Sequence, residues 1–562
     1  MIRRRLRRGL LAAALATAAA LAWAQEADKT IVDLQPARIT SMQALPAGRG
    51  AIVLTNLNPA VNAWFLLEIR HADGTASAYH LENADPAGQR IGLQPDAAGR
   101  LSISAAAGTH TCVLWPGNAL AQAGATALPF APLCEGRLYL RNAVRGNRTT
   151  LEATTEFLRD HVWRGEQIIG FVKRQFYVDA FAQHATPLPG QPAASAVRAL
   201  SDGPAPASLA TGYDARVGWP ADLGIDIGTR EGVTLGQWYR AAGLDAVFVS
   251  VIQPATLAAD VRRAALDEVE AAALDYLVAF DLSAFDLGFS LGTEHPRLGW
   301  SDRVPESRRD LRLPGPDGID RATPLVRTGM LSPALEARTA ATFTGGFKRE
   351  HGAFAYGALA ESNRGSHYGF IEQGVIFSTL QPGLSTLYVL DDGSVGMKTW
   401  TRADDRLLGR IRHARQNGVP LVERAATGGA SVEGSLLDRW GAGNWSGSAD
   451  EKLRTLRAGA CLVEQAGRRF LVYGYFSTAT PRAMARVFVA YGCRYAMHLD
   501  MNALEHTYLA LYAHRDSRIT VEHVVQGMSV LDKEVRGALV PRFLGFPDDR
   551  DFFYLVSRKD RR

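Results

Sequence analysis

Within Arg494–Tyr508 (RYAMHLDMNALEHTY), Asp500, Asn502, Glu505, His506 and Thr507 fall inside eight residues. Tyr495, Met497 and Leu499 alternate with Ala496 and His498, the period-2 pattern of a half-buried strand. Such a strand delivers Asp500 to its end. Carboxylates and an imidazole at the meeting of a strand and a loop suit acid/base chemistry, with room for substrate above them. The plainer alternative is an aspartate capping a turn, followed by solvated loop.

A second stretch is Phe343-Thr344-Gly345-Gly346-Phe347-Lys348, followed by Arg349-Glu350-His351. Paired glycines after an apolar run suit a backbone that turns sharply or comes close to a ligand. Lys348, Arg349 and His351 then supply cations near that turn, where an anionic leaving group would be stabilised. Glu-His dipeptides occur at 294–295, 350–351, 505–506 and 522–523, three of them beside these loops. They make a divalent metal conceivable, but no fixed ligand spacing such as HExxH accompanies them, so no cofactor is expected.

In order along the chain, the Thr-Gly-Gly-Phe element, Gly374–Phe377, Leu387–Val395 with its Asp-Asp-Gly turn, Ala460–Val463 and His498-Leu499-Asp500 resemble the phosphodiester glycosidase family, relatives of the mannose 6-phosphate uncovering enzyme. The resemblance covers about residues 285–530. Thr344 stands where the family has Asn, and Met501-Asn502-Ala503 replaces its glycine run. The resemblance implies hydrolysis of a sugar-1-phosphodiester or related glycosidic bond, with Asp500 matched directly as a stabilising or orienting carboxylate. Local reasoning adds Glu505 as acid/base and His506 as a second proton-transfer group. Thr344, Gly345, Gly346, Lys348, His351 and Asn502 are then substrate-binding candidates, with Lys348 and His351 on the phosphate. Asn444-Trp445-Ser446 offers an aromatic ring for a sugar, or a plain loop. The alternative function is a non-catalytic glycan-binding or envelope-assembly protein on the same fold.

These residues need elements to hold them. The expected class is α+β: a β-rich, sandwich-like N-terminal domain over 25–145 and a C-terminal mixed α/β domain over 217–562. A helical segment (146–185) and a Pro/Ala/Ser/Gly-rich linker (186–216) separate them. Within 217–285 the patterns predict helices over Thr234–Ala242 and Ala258–Tyr276 and strands over Ala246–Ile252 and Leu277–Phe280. The proline-rich 292–338 stretch reads as an irregular wrap near the site.

Residues 1–24 have the form of an export signal: Arg3, Arg4, Arg5, Arg7 and Arg8, an apolar run, then Ala22-Trp23-Ala24. The expected location is periplasmic or secreted, with no transmembrane anchor after cleavage. Those five arginines equal the whole formal charge of +5, so the remainder is near neutral and gives no case for nucleic-acid binding. In an oxidising compartment Cys112/Cys134 and Cys461/Cys493 are candidate disulfides, the second pair equally readable as buried thiols.

Overall fold

The structure, a computed structural model, describes residues 28–45, 49–94, 99–115, 117–161, 179–183, 215–257, 266–302, 304–352, 367–425, 428–437, 453–465, 467–515 and 518–558. The class is α+β with strand predominant. Residues 1–27, carrying the expected leader, and 184–214, most of the expected linker, lie outside the described residues, as does Asn444–Ser448.

The N-terminal part is a sandwich. A six-stranded sheet (Ile39–Ala44, Gly50–Asn56, Trp64–His71, Ala76–Asn83, Leu138–Arg141, Phe130–Leu133) faces a three-stranded one (Gln89–Leu93, Arg100–Ala105, Gly108–Val113). Phe65, Leu67 and Ile69 point into the core between them, together with Leu101 and Ile103. Trp64 and Leu66, on the opposite face of the same strand, join the main core instead. A strand buried on both faces reads as the continuous apolar run seen at Ala63–Leu67.

The larger body is organised by an eight-stranded antiparallel sheet. Its strands in order are Trp238–Arg240, Val247–Ile252, Asp275–Asp281, Arg468–Ala479, Thr455–Gln465, Tyr495–Met501, Pro420–Arg424 and Ser431–Glu433. A five-stranded sheet (Phe285–Ser290, Phe552–Ser557, Thr339–Thr344, Leu509–Arg515, Arg518–His523) shares the same core. A third sheet contributes Ile411–Gln416. The helix Pro481–Ala490, capped by Thr480 Oγ1 accepting from Ala483 N (3.2 Å), seats where Gly459 and Gly474 face each other across the ladder. A Cβ on Gly459 would lie 2.9 Å from both Met484 and Phe488. That close seating, with the Cys461–Cys493 disulfide, fixes the chain as it enters the Tyr495–Met501 strand. Cys112 and Cys134 are also bonded.

Two expected helices differ. Thr234–Ala242 is not helical: Val233–Thr234 and Trp238–Arg240 are strands, the latter pairing with Phe248–Ser250. Gly232 and Gly236 take positive φ, which breaks a helix and lets the chain fold back as an edge strand. Of Ala258–Tyr276, residues 258–265 lie outside the described residues, the helix occupies only Glu268–Ala272, and Asp275 and Tyr276 already belong to a strand. The Asp267/Glu270 capping box starts that helix late, and pairing with Arg468–Ala479 takes over its end. Residues 292–338 carry only the short turns Glu306–Arg308 and Pro333–Glu336 among those described.

Candidate active site

Three chain segments meet where the two larger sheets end. They are the end of Tyr495–Met501 with Asp500, the Gly345–Lys348 turn after Thr339–Thr344, and Asp548–Asp551, which leads into Phe552–Ser557. The helix Thr150–His161 adds Glu152 from its first turn.

Arg550 is the hub. Its Nη1 donates to Asp500 Oδ2 (2.9 Å), its Nε to Glu152 Oε1 (2.9 Å), and its Nη2 to Glu152 Oε1 (2.5 Å) and His506 Nε2 (2.7 Å). Lys348 Nζ lies 3.4 Å from Glu152 Oε1 and 3.7 Å from Asp549 Oδ2. Arg148 Nε donates to Asp549 Oδ2 (3.1 Å) and pairs with Glu294. Apart from Arg148, Glu294 and His506, these side chains are buried.

Burial sorts the carboxyls. Asp500 is pushed up to about 6 by burial, against the opposing charge of Arg550. Asp549 is likewise raised to about 6 by burial and by Glu152, with Arg550 and Lys348 opposing. For Glu152, burial pulls upward, but Arg550 and Lys348 outweigh it and hold the carboxyl well below its usual range. Neighbouring carboxyls pushed apart in this way are the arrangement that separates proton donor from fixed anion.

Beneath this cluster, Asp551 accepts from Arg415 Nε on Oδ2 (2.8 Å) and lies 2.9 Å from His295 Nδ1 on Oδ1. Burial would raise it, but Arg415 and His295 keep it low. Arg415 also donates to Phe347 O (2.6 Å) and Asn417 Oδ1 (2.8 Å), and Asn417 Nδ2 donates to the carbonyls of His498 and Leu499 (2.6 Å each). The glycine turn and the strand carrying Asp500 are thereby one hydrogen-bonded unit.

The expected residues separate on inspection. Asp500, Lys348 and His506 are brought together. His506 is not a free base: Nδ1 lies 2.8 Å from Met501 O, which only a donor satisfies, so Nε2 is the acceptor for Arg550. Glu505 is buried, but its Oε1 accepts from Thr149 Oγ1 (3.2 Å), while its carbonyl accepts from Arg542 (2.9 Å) and Thr344 Oγ1 (3.3 Å). Gly345 and Gly346 make room inward: an added Cβ would lie 2.5 Å from Asp551 Oδ2 and 2.7 Å from Arg415 Nη1 respectively. Asn502 sits at φ +79°, the left-handed region that favours glycine and asparagine, and its Oδ1 accepts from Thr455 Oγ1 (3.1 Å). The backbone of His351 lies in the Arg349–Gly352 turn, and its side chain is outside the described residues. Among the described residues no group of three His, Cys, Asp or Glu is arranged to hold a metal.

Glu152, Arg415, Asp549, Arg550 and Asp551 were not foreseen, and His295 was noted only as part of a Glu-His dipeptide. Asp548-Asp549-Arg550-Asp551 did carry a signal, four charges directly before the apolar run Phe552–Val556. That is the same strand-edge logic that singles out Asp500. A groove of about 1080 Å³ at the other end of Phe552–Ser557, lined by Asp85, Arg90, Asp286, Arg412, Tyr554 and Arg558 among others, contains none of the cluster.

No family profile and no curated protein matches the chain. Among solved structures it is similar to the zebrafish N-acetylglucosamine-1-phosphodiester alpha-N-acetylglucosaminidase catalytic domain auto-inhibited by its pro-peptide. Identity is 10%, coverage is 56% of this chain and 82% of that one, and the TM-score is 0.30. A hypothetical protein from Synechocystis is 9% identical over 88% of this chain and 97% of its own, with TM-score 0.27. A putative exported protein from Burkholderia pseudomallei is 10% identical over 50% and 74%, with TM-score 0.17. Likenesses at this level carry no argument about chemistry. Two disulfides fit an oxidising compartment, and no described helix is long and apolar enough to cross a membrane.

Proposed function

We propose that the chain is an exported hydrolase that cleaves a sugar-phosphodiester or related glycosidic bond in envelope or extracellular glycans. The observation that supports this is the buried cation pair of Lys348 and Arg550 set between two carboxyls, Asp500 and Asp549, each raised to about 6. Cations of this kind hold a phosphoryl group and take up the charge that develops on it as the glycosidic bond breaks. A carboxyl that keeps its proton near pH 6 is suited to give that proton to a leaving oxygen. Asp500 is the proton donor in this reading, and Glu152 the fixed anion that an incoming phosphate competes with.

One observation favours the second reading, a non-catalytic glycan-binding or envelope-assembly protein: Glu152 already sits on both Arg550 and Lys348. The deciding experiment is turnover by the purified protein on a panel of sugar-1-phosphodiesters and chromogenic glycosides, with Asp500→Asn beside it. The hydrolase reading expects turnover that declines above about pH 6, as Asp500 loses its proton, and that Asp500→Asn abolishes. No turnover on the panel, with a glycan still retained, selects the binding protein.

A further inference from the structure

His295 stands outside every role assigned so far. It is 1% exposed; its Nδ1 lies 2.9 Å from Asp551 Oδ1, an ion-pair contact without hydrogen-bond geometry, and its Nε2 has no hydrogen-bond partner among the described residues. A buried ring nitrogen without a partner costs roughly 1–3 kcal/mol, which an ordinary packing histidine avoids by finding a carbonyl or hydroxyl. Asp549 Oδ1, in the charged cluster itself, is also buried and without a hydrogen-bond partner among the described residues.

The segments that carry His295 and Asp549 run side by side for a topological reason. Phe285–Ser290 and Phe552–Ser557 pair antiparallel up to Ser290 opposite Phe552, so the segments beyond that pair leave the sheet side by side. Thr293 N donates to Asp548 O (3.1 Å), and a Cβ on Gly292 would lie 2.0 Å from Asp549 O. Glu294, next to His295, pairs with Arg148, which in turn holds Asp549. His295 is therefore tied to the same charged cluster through its neighbour Glu294 and through Asp551. Asp551 is itself gripped by Arg415 Nε (2.8 Å), so its position is fixed.

We infer that His295 is a further catalytic residue of this site, its Nε2 taking a proton from the attacking water, with Asp551 as the positioning residue behind it. An ionised carboxylate on Nδ1 selects the Nδ1–H tautomer, leaves the Nε2 lone pair free and stabilises the imidazolium that forms. The inference rests on the hydrolase reading and assigns its base. In the step, the water oxygen bonds to the anomeric carbon as the bond from that carbon to the phosphate oxygen breaks. The water proton passes to His295 Nε2, and the Asp500 proton passes to the departing phosphate oxygen. Solvent exchange then returns one proton from the imidazolium and one to Asp500, leaving sugar and phosphate monoester.

The test uses the full chain on whichever panel substrate the wild type turns over. His295→Gln is expected to lower kcat by about 10²-fold or more with KM little changed. Asp551→Asn is expected to lower kcat and move the rising limb of its pH profile, since it favours the wrong tautomer. His295→Ala is expected to regain activity with added imidazoles, in the order of their basicity, which a packing histidine would not do. Melting temperatures identify a variant that has failed to fold, and the rescue series is then run on His295→Gly. Wild-type kcat in a folded His295→Gln, or an inactive alanine or glycine variant that no imidazole restores, overturns the inference and leaves the hydrolase reading standing. A wild type inactive on the whole panel refutes that reading, and this inference with it.

Discussion

Replacing Asp500 by Asn is expected to stabilise the protein above pH 6 while removing its activity. The Asp500 carboxyl ordinarily titrates near 3.8 and is raised to about 6 in the fold, chiefly by burial. That elevation corresponds to about 3 kcal/mol. Because the folded value lies above the unfolded one, the native state keeps a proton that the unfolded chain has released. The contribution is complete below about pH 4 and is lost as pH rises through about 6. Asparagine mimics the protonated carboxyl in shape and charge, so the variant escapes that loss. Arg550 keeps Glu152 and His506 as partners when the charge of Asp500 is gone. The assay is thermal unfolding of wild type and Asp500→Asn side by side between pH 4 and 8. The two curves should nearly coincide at pH 4 and separate in favour of the variant by pH 8. A variant less stable at pH 8, or a difference independent of pH, would refute the reasoning, because it would mean that the ion pair with Arg550 outweighs the desolvation of Asp500.

Glu152→Gln should act in the opposite sense on stability and increase anion binding. Removing one partner of a buried ionic cluster costs about 3 kcal/mol, and the freed Lys348 and Arg550 should bind inorganic phosphate about tenfold more tightly by calorimetry. Unchanged phosphate affinity would mean that those cations do not form the anion site. Asn417→Ala removes the donor to the His498 and Leu499 carbonyls and the acceptor for Arg415. A loss of roughly 2–4 kcal/mol in melting experiments is expected, with activity falling further than stability as Asp500 shifts. Gly459→Ala forces a methyl group against Met484 and Phe488 and should cost about 1–3 kcal/mol; a neutral result would show that the helix Pro481–Ala490 can lift off the sheet.

Parts of this arrangement were legible in the sequence because they are local. Asp500 at the end of an alternating strand, and a lysine after a Gly-Gly turn, are patterns a few residues long. The strand at Val247–Ile252 was equally plain from its unbroken apolar run. Thr234–Ala242 misled because its composition suits a helix while the ladder with Phe248–Ser250 made it a strand, a case of tertiary pairing overriding propensity. Glu152 was hidden for another reason: a glutamate in the first turn of a helix is ordinary there, and nothing nearby marks its partner 398 positions away. The inward use of Gly345 and Gly346 was equally out of reach, because the atoms they accommodate belong to Asp551 and Arg415, far away in sequence.

The strand Phe552–Ser557 lies between Phe285–Ser290 and Thr339–Thr344, although it is made more than two hundred residues after both. Until it slots into that gap, Arg550 and Asp551 have no fixed place, and the cations and carboxyls of the cluster stand apart. The charged cluster should therefore be among the last parts of the fold to assemble as the chain matures. On the reading proposed above, of an exported hydrolase, that order provides a built-in delay: the enzyme stays inert along its route and completes itself only when fully delivered.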